Sequence, residues 1–455
     1  MPIRELRDAE WNFSAGRFDE VIKICRELIL DDPDCHQAFY LLGRTCKSIG
    51  KFDEARGMIE KATRLKADAA PYHTELGNLL AAEGQLDAAA DAYKTAVKLS
   101  PEFVDPLVSL GATLQLLDRT DEAVAVYTAA VKLVPNAAVL HFNLAEAQAE
   151  LGFGSLAANG YRRAVELEPE WSELQRKYGL SQLAAGQVEV AQTACRRAVF
   201  LMPGEAENHI ALARALMAGG DKWDALKVCD TYLASHANNM AVVACRAVVL
   251  NDMGFRDAAA RLLGFDAFIR MLNISPPAGY GSLSAFNTVL VEEAQQRHVL
   301  EYELSLRMVI GGRQSGELFR EPTASIALLM EQIDGLVSGY VDGLSETINH
   351  RFATRKPRKW RLGGYSIELE TNGRLEAHIR TEAWLRGLYL AKAVGRPKVT
   401  LGVPPSGWGF SGEPLIQVFR PKPGELLFFP GHIYCSVTLE EGEDCVFYAT
   451  QIIEE

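Results

Sequence analysis

One glycine returns every 34 residues through the first part of the chain: Gly16, Gly50, Gly84, Gly152, Gly186, Gly220 and Gly254 share a phase, with Asp118 in the remaining slot. Five residues after successive slots stand Ala55, Ala89, Ala123, Ala157, Ala191, Ala225 and Ala259. A second small-residue phase runs through Gly43, Gly77, Gly111, Ala145, Gly179, Ala213 and Ala247, and Pro33, Pro101, Pro135, Pro169 and Pro203 mark a third. A period of this length means stacked helix pairs, because one pair cannot bury its apolar face alone and must pack on its neighbours. In each unit the glycine ends helix A in a tight turn, and the small residues let the two backbones approach. One unit places Gln37 to Gly43 in helix A, Ser48 to Gly50 in the turn and Phe52 to Leu65 in helix B, and about seven units fit between Arg4 and Phe268.

The pattern resembles the tetratricopeptide repeat. That resemblance implies an all-α superhelix that holds proteins or peptides on its inner surface, lined by helix A. Tyr40, His73, Asn78, His141, Asn143 and Asn208 are the candidate peptide groove, with His73 and His141 two repeats apart at one helix A position. The alternative for these residues is ordinary polar helix surface.

Composition narrows the rest. The 455 residues are 48% apolar, enough for two or three cores, and a formal charge of -12 argues against nonspecific nucleic-acid binding. The one short basic run, Arg351, Arg355, Lys356, Arg358, Lys359 and Arg361, reads as a solvated turn. No apolar stretch has membrane-spanning length and Met1 to Trp11 shows no signal-peptide pattern, so a cytoplasmic location is expected. Among the eight cysteines, Cys25, Cys195 and Cys229 fall at one repeat position inside apolar helix segments and read as small core fillers; no CxxC pair supports a zinc knuckle.

The helix breakers between Asn273 and Gly281 mark a domain boundary, which divides the chain into a repeat domain (1–270), a linker (271–285) and a second domain (286–455). Helices are expected over Leu283 to His298 and Thr323 to Asn349. Strand-like pieces follow at Tyr365 to Leu369, Leu385 to Leu390, Leu415 to Phe419, Glu425 to Phe429 and Cys445 to Ile453. Short strands with Gly/Pro turns after two helices suggest an antiparallel barrel or sandwich.

From Pro276 to Glu455 the chain resembles the 2-oxoglutarate and iron(II) dependent oxygenases, relatives of prolyl hydroxylases that often follow tetratricopeptide repeats in bacteria. The likeness rests on short segments in family order. These are Pro277-Ala278-Gly279-Tyr280 with Ala285-Phe286-Asn287, then Gly311 to Phe319, the helix from Ile326 to Tyr340, His378-Ile379-Arg380, Trp384 to Tyr389 and Pro423 to Pro430. It implies an α+β domain with a double-stranded β-helix, or jelly-roll, core behind the all-α superhelix, and an activity that hydroxylates a protein or peptide side chain with iron(II) and 2-oxoglutarate.

The chemical positions depart from that family. Two ligands two residues apart on one strand face one iron, and a distal histidine completes a facial triad. His378 stands at the first position, but Arg380 stands at the second, and a guanidinium has no lone pair to donate. Cys435 takes the distal position; His432 lies three residues earlier and could substitute only on a rearranged strand. Where the family's cosubstrate arginine belongs, the chain reads Glu443-Asp444-Cys445. His378, Cys435 and His432 are therefore the candidate metal ligands, Arg380 and Arg386 a candidate anion or cosubstrate pocket, and Glu382 a residue of either a solvated turn or the site. Two functions are expected from this pattern: a protein-binding scaffold carrying an oxygenase-like pseudoenzyme without a cofactor, or an active iron(II) and 2-oxoglutarate dioxygenase.

Overall fold

The computed structural model describes residues 2–296, 308–344, 350–402, 404, 408, 410 and 412–455. The chain divides into two compact units, Met1–Leu174 and Gln175–Glu455. Between Pro2 and Leu263 sixteen helices pair into eight hairpins, one for each of the eight turn slots and one more than the seven units estimated.

Five hairpins lie in the first unit, from Pro2–Ser14 with Phe18–Asp31 to Ala138–Glu150 with Gly154–Leu167. Their turns close by one local device. At Gly50 (φ 79°) the glycine amide donates to the Lys47 carbonyl and the Lys51 amide to the Cys46 carbonyl, the two bonds of a Schellman motif. At Asp118 (φ 57°) the same pair recurs, the Asp118 amide donating to the Gln115 carbonyl and the Arg119 amide to the Leu114 carbonyl. A short polar side chain tolerates this left-handed conformation, at some cost relative to glycine.

The second small phase receives a knob from helix B. A Cβ at Gly43 would lie 2.7 Å from Ile59, one at Gly77 would lie 2.6 Å from the Tyr93 ring, and one at Gly111 would collide with Tyr127. Ile59, Tyr93, Tyr127 and Tyr161 occupy the same repeat position as Cys25, Cys195 and Cys229. All eight cysteines are buried and unbridged, and burial pushes the Cys25 thiol up to about 12, as expected of core fillers.

The second unit holds the last hairpins, including Ala206–Ala218 with Lys222–Ser235 and Met240–Asp252 with Arg256–Leu263, and then a strand-rich region. Its strands are β1 (Arg270–Asn273), β2 (Val309–Gln314), β3 (Trp360–His378), β4 (Leu385–Val394), β5 (Lys398–Leu401), β6 (Gln417–Phe419), β7 (Glu425–Pro430), β8 (Cys435–Thr438) and β9 (Asp444–Glu454). They form one curled antiparallel sheet in the order β1-β7-β4-β9-β3-β8-β5-β6, with β2 also on β3. The segment expected as a linker, 271–285, is partly sheet: Arg270 to Asn273 pair with Phe428 to Glu425, and backbone hydrogen bonding outweighs the breakers that follow. The expected helices are Leu283–Gln296 and Ala324–Asp342, capped by the Thr323 hydroxyl; 297–307 and 345–349, where the expected ends fall, lie outside the described residues.

Period two sorts the sheet's side chains. Leu388, Leu390, Leu427, Phe429, Phe447 and Ala449 fill the hollow of the half-barrel. Leu385, Tyr389, Leu426, Phe428, Tyr448 and Ile452 pack outward on Phe286, Leu290, Ile326, Leu329 and Ile333 of the two helices. The segments that carry the family likeness serve this packing. Asn287 accepts from the Tyr389 hydroxyl (2.5 Å), and Glu317 accepts from the amides of Phe319 and Gly364 (3.0 and 2.7 Å). Within the basic run Arg351 lies on a short helix, Arg351–Thr354, and Arg351 and Arg355 donate to the carbonyls of Ala237 and Asn238, whereas Lys356, Arg358 and Lys359 follow in an exposed turn.

Candidate functional site

In the first unit, helix A of successive hairpins contributes one stripe. Repeat positions equivalent to 37, 40, 41 and 44 are spaced i, i+3, i+4, i+7, which brings them to one helix face. From this stripe Tyr40, Arg44, Pro71, Thr74, Glu75, Asn78, Asp105, Val108, Ser109 and Val139 line a groove of about 510 Å³, together with Phe103 and Val104.

Its polar groups are held in advance. Lys47 pairs with Glu75 at 2.9 Å, the Asn78 amide donates to Glu75 at 3.3 Å, and the Tyr93 hydroxyl donates to Asn78 at 2.8 Å. Tyr40 stacks on Tyr72 at 4.4 Å, and the Arg44 guanidinium lies 4.5 Å from the Phe13 ring. Asp105 is exposed.

Of the six residues the sequence proposes for a groove, Tyr40 and Asn78 line it. His73 and His141 sit one position off the stripe; their Nε2 atoms bond the loop carbonyls of Ala67 (2.8 Å) and Pro135 (2.9 Å). Asn143 shares the stripe position of Glu75 and Ser109, outside the lining set. Asn208 is buried in the second unit and donates to Ala198 and Met202 at the end of the preceding helix. The helical spacing of the stripe was the signal available for Arg44, Thr74, Glu75, Val108 and Ser109.

The same stripe in the second unit is covered. Ile210, Arg214, Ala244 and Val248 stand five and six periods after Tyr40 and Arg44. Ile210, Ala211, Ala244, Cys245 and Val248 share one apolar cluster with Trp408 and Tyr434 from the strand-rich region. Arg214 lies 5.3 Å from the Trp408 ring, and that ring meets Tyr434 edge-on at 5.7 Å.

Inside the half-barrel, His378 and Cys435 are register partners on β3 and β8. His378 is buried. Its Nδ1 donates to the Glu376 carbonyl (2.9 Å), which leaves the Nε2 lone pair to accept from Arg386 at 2.7 Å. Burial first, and then the Arg386 charge, lower the His378 pKa to about 3. Arg386 projects into the hollow beside Leu388, donates a second time to the His378 carbonyl (3.3 Å), and lies 5.1 Å from the Phe429 ring. Arg380 falls past the end of β3, not on it; its guanidinium is 5.9 Å from the Tyr365 ring and 3.7 Å from the half-exposed Glu382. Burial raises the Cys435 thiol to about 11, so it is protonated at neutral pH.

His432 is elsewhere. It lines a separate cavity of about 80 Å³ with Phe352, Trp384, Arg355 and Glu382, and burial lowers its pKa to about 3. Among the described residues no three of His, Cys, Asp or Glu converge as metal ligands. The residues present do not fit an iron: the one imidazole lone pair at the first position faces a guanidinium, the distal thiol is neutral, and His432 is in another cavity. Nor do the acids after β8 face the hollow. Glu443 accepts from the amides of Arg396 and Glu440 in the adjoining turns, and Asp444 pairs with Lys392 at 3.1 Å.

Models described as tetratricopeptide repeat match residues 36–68 and 176–239, and one described as TPR repeat matches 77–118. The chain carries tetratricopeptide repeats, a scaffold that generally binds proteins. No curated protein matches it. Among solved structures, MamA is 22% identical over 36% of this chain and 96% of that one, with a TM-score of 0.34. YrrB, described as a TPR protein with an unusual peptide-binding site, is 19% identical over 40% and 95%, with a TM-score of 0.35. PilF of Pseudomonas aeruginosa is 14% identical over 46% and 94%, with a TM-score of 0.41. No helix among the described residues is long and apolar enough to cross a membrane.

Proposed function

We propose that the chain is a protein- or peptide-binding scaffold whose working surface is the groove of the first unit, the concave face of its repeats. The observation that carries this reading is the groove itself: one helical stripe, repeated over four hairpins, leaves about 510 Å³ unfilled between mixed polar and apolar walls. The Lys47, Glu75, Asn78 and Tyr93 ladder orients hydrogen-bonding groups before any partner arrives, which lowers the ordering cost of binding. The test is selection of binders from a displayed library of random decapeptides on the full chain, with Val104→Glu and Val108→Glu variants of native circular dichroism as counter-screens. Binders lost on both variants are expected; a selection in which every binder tolerates both carboxylates rules the groove out.

The same reading makes the strand-rich region a jelly roll of oxygenase descent whose iron and 2-oxoglutarate positions have degenerated. What supports it is the strand order. If β3 is divided at its irregular stretch, Trp360 to Leu369 joins the run β3-β9-β4-β7, and Arg374 to His378 joins the run β3-β8-β5-β6. That division would give two runs of four strands in the order a jelly roll takes, which supports the reading. Metal analysis of protein purified without chelator is expected to find well below one equivalent of iron. Stoichiometric iron, lost in His378→Ala, would return the chain to the dioxygenases.

A further inference from the structure

The 34-residue period puts a filled stripe and an open stripe on equivalent positions of one chain. In the second unit the stripe at Ile210, Arg214, Ala244 and Val248 is covered by aromatic rings: Trp408 is 5% exposed and Tyr434 6%. The Arg214 guanidinium, 5.3 Å from the indole, occupies the repeat position of Arg44 and Asn78. Trp408 stands in the run Pro404-Pro405-Ser406-Gly407-Trp408-Gly409-Phe410, and Phe410 packs against the same cluster.

We infer that the open groove of the first unit takes a partner segment of like chemistry, one that bears a tryptophan. This rests on the reading of the groove as a peptide site. Arg44 supplies the guanidinium and Tyr40, backed by Tyr72, an aromatic platform. Val104, Val108 and Val139 supply apolar wall for the indole, and the exposed Asp105 carboxylate an acceptor for its N–H. A mainly ionic ligand fits less well, because Glu75 is already paired with Lys47. The chain's own Trp408 is not the occupant, since it is buried in the second unit.

The probe is a synthetic decapeptide of the sequence 403–412, titrated into the full chain by fluorescence anisotropy, with a copy in which alanine replaces tryptophan. The expected result is saturable binding that falls at least about tenfold in the alanine copy and, for the parent peptide, in Val108→Glu. Val104→Glu, checked by circular dichroism, gives a second reading should Val108→Glu fold poorly. Equal affinity for the two peptides, no binding, or binding that both variants retain overturns the inference. The library binders separate this failure from that of the groove: groove-dependent binders without aromatic residues sink the aromatic preference and leave the groove standing, whereas the absence of any groove-dependent binder sinks both.

Discussion

The two units use one helical stripe in opposite ways. In Met1–Leu174 the positions equivalent to 40, 41 and 44 carry Tyr40, Arg44, Thr74, Glu75, Asn78, Val108 and Ser109 and border open space. In Gln175–Glu455 they carry Ile210, Ala211, Arg214, Ala244, Cys245 and Val248, and rings from the strand-rich region lie over them. Helix pairing is the same in both, because the turn and the small-residue contact set it. What differs is the residue on the stripe: polar and mixed where the face is open, apolar apart from Arg214 where it is covered. A repeat scaffold thus separates the positions that fold it from those that bind.

The comparison breaks most readily at Trp408. Replacing this buried ring with alanine should cost about 3 kcal/mol or more in the second unit, seen as faster hydrogen exchange in Ala206–Ala218 and Met240–Asp252. Tyr40→Ala should cost about 1 kcal/mol, since its ring borders a groove. If both substitutions leave exchange equally unchanged, the covered stripe is not a core.

Acid should also separate the units. His378 and His432 are held neutral by burial down to about 3, against 6.5 when unfolded. Because the unfolded state takes up these protons first, stability is full above pH 6.5 and falls from there toward pH 3. Each group contributes up to about 1.4 kcal/mol per pH unit. The first unit's His36, His73 and His141 are only half-buried. Exchange of the strand-rich region should therefore accelerate between pH 6.5 and 5 more than that of the first five hairpins, and His432→Gln should flatten the slope. A slope unchanged in that variant would contradict the burial argument.

The shared contact gives a smaller difference. Gly111→Ala drives a methyl into the fully buried Tyr127 ring and should cost roughly 1–3 kcal/mol. Gly179→Ala, opposite the Cys195 sulfur at 2.6 Å, should cost less, because a thiol swings aside more easily than a ring. Thermal melts of the two variants decide it, and equal shifts would mean that the knobs are interchangeable. Smallest of all, Asp118→Gly should stabilise the first unit by about 0.5–1 kcal/mol through relief of its left-handed backbone. A fall in melting temperature would show that the Asp118 side chain does more than tolerate the turn.

The hairpins were legible in the sequence because each depends on neighbours 34 residues away at most: a left-handed residue to end helix A, a small residue to admit a knob, and an apolar face with a period of 3.6. Five strand positions, in β3, β4, β6, β7 and β9, were legible too, as apolar runs between turns, whereas β1, β2, β5 and β8 were not. The stripe was written there as well, at i, i+3, i+4, i+7, but polarity drew attention to His73, His141 and Asn208, which bond their own loops and helix ends. The breakers after Asn273 suggested a linker where the chain first adds an edge strand, because the partner that pairs it, β7, lies more than 150 residues downstream.

What only the tertiary structure decided is which side chains meet across such distances. His378 and Cys435 fall in register, as the family likeness implied, yet the atom facing the imidazole is a nitrogen of Arg386, and no spacing rule shows that a guanidinium rather than a metal takes that lone pair. His432, three residues from Cys435, turns into another cavity. The cover that Trp408 places over the later repeats is likewise a contact between segments far apart in the chain. Local periodicity is set by backbone geometry and so can be read along the chain; the occupancy of a face or a lone pair depends on which distant group arrives first in three dimensions, and that only the fold supplies.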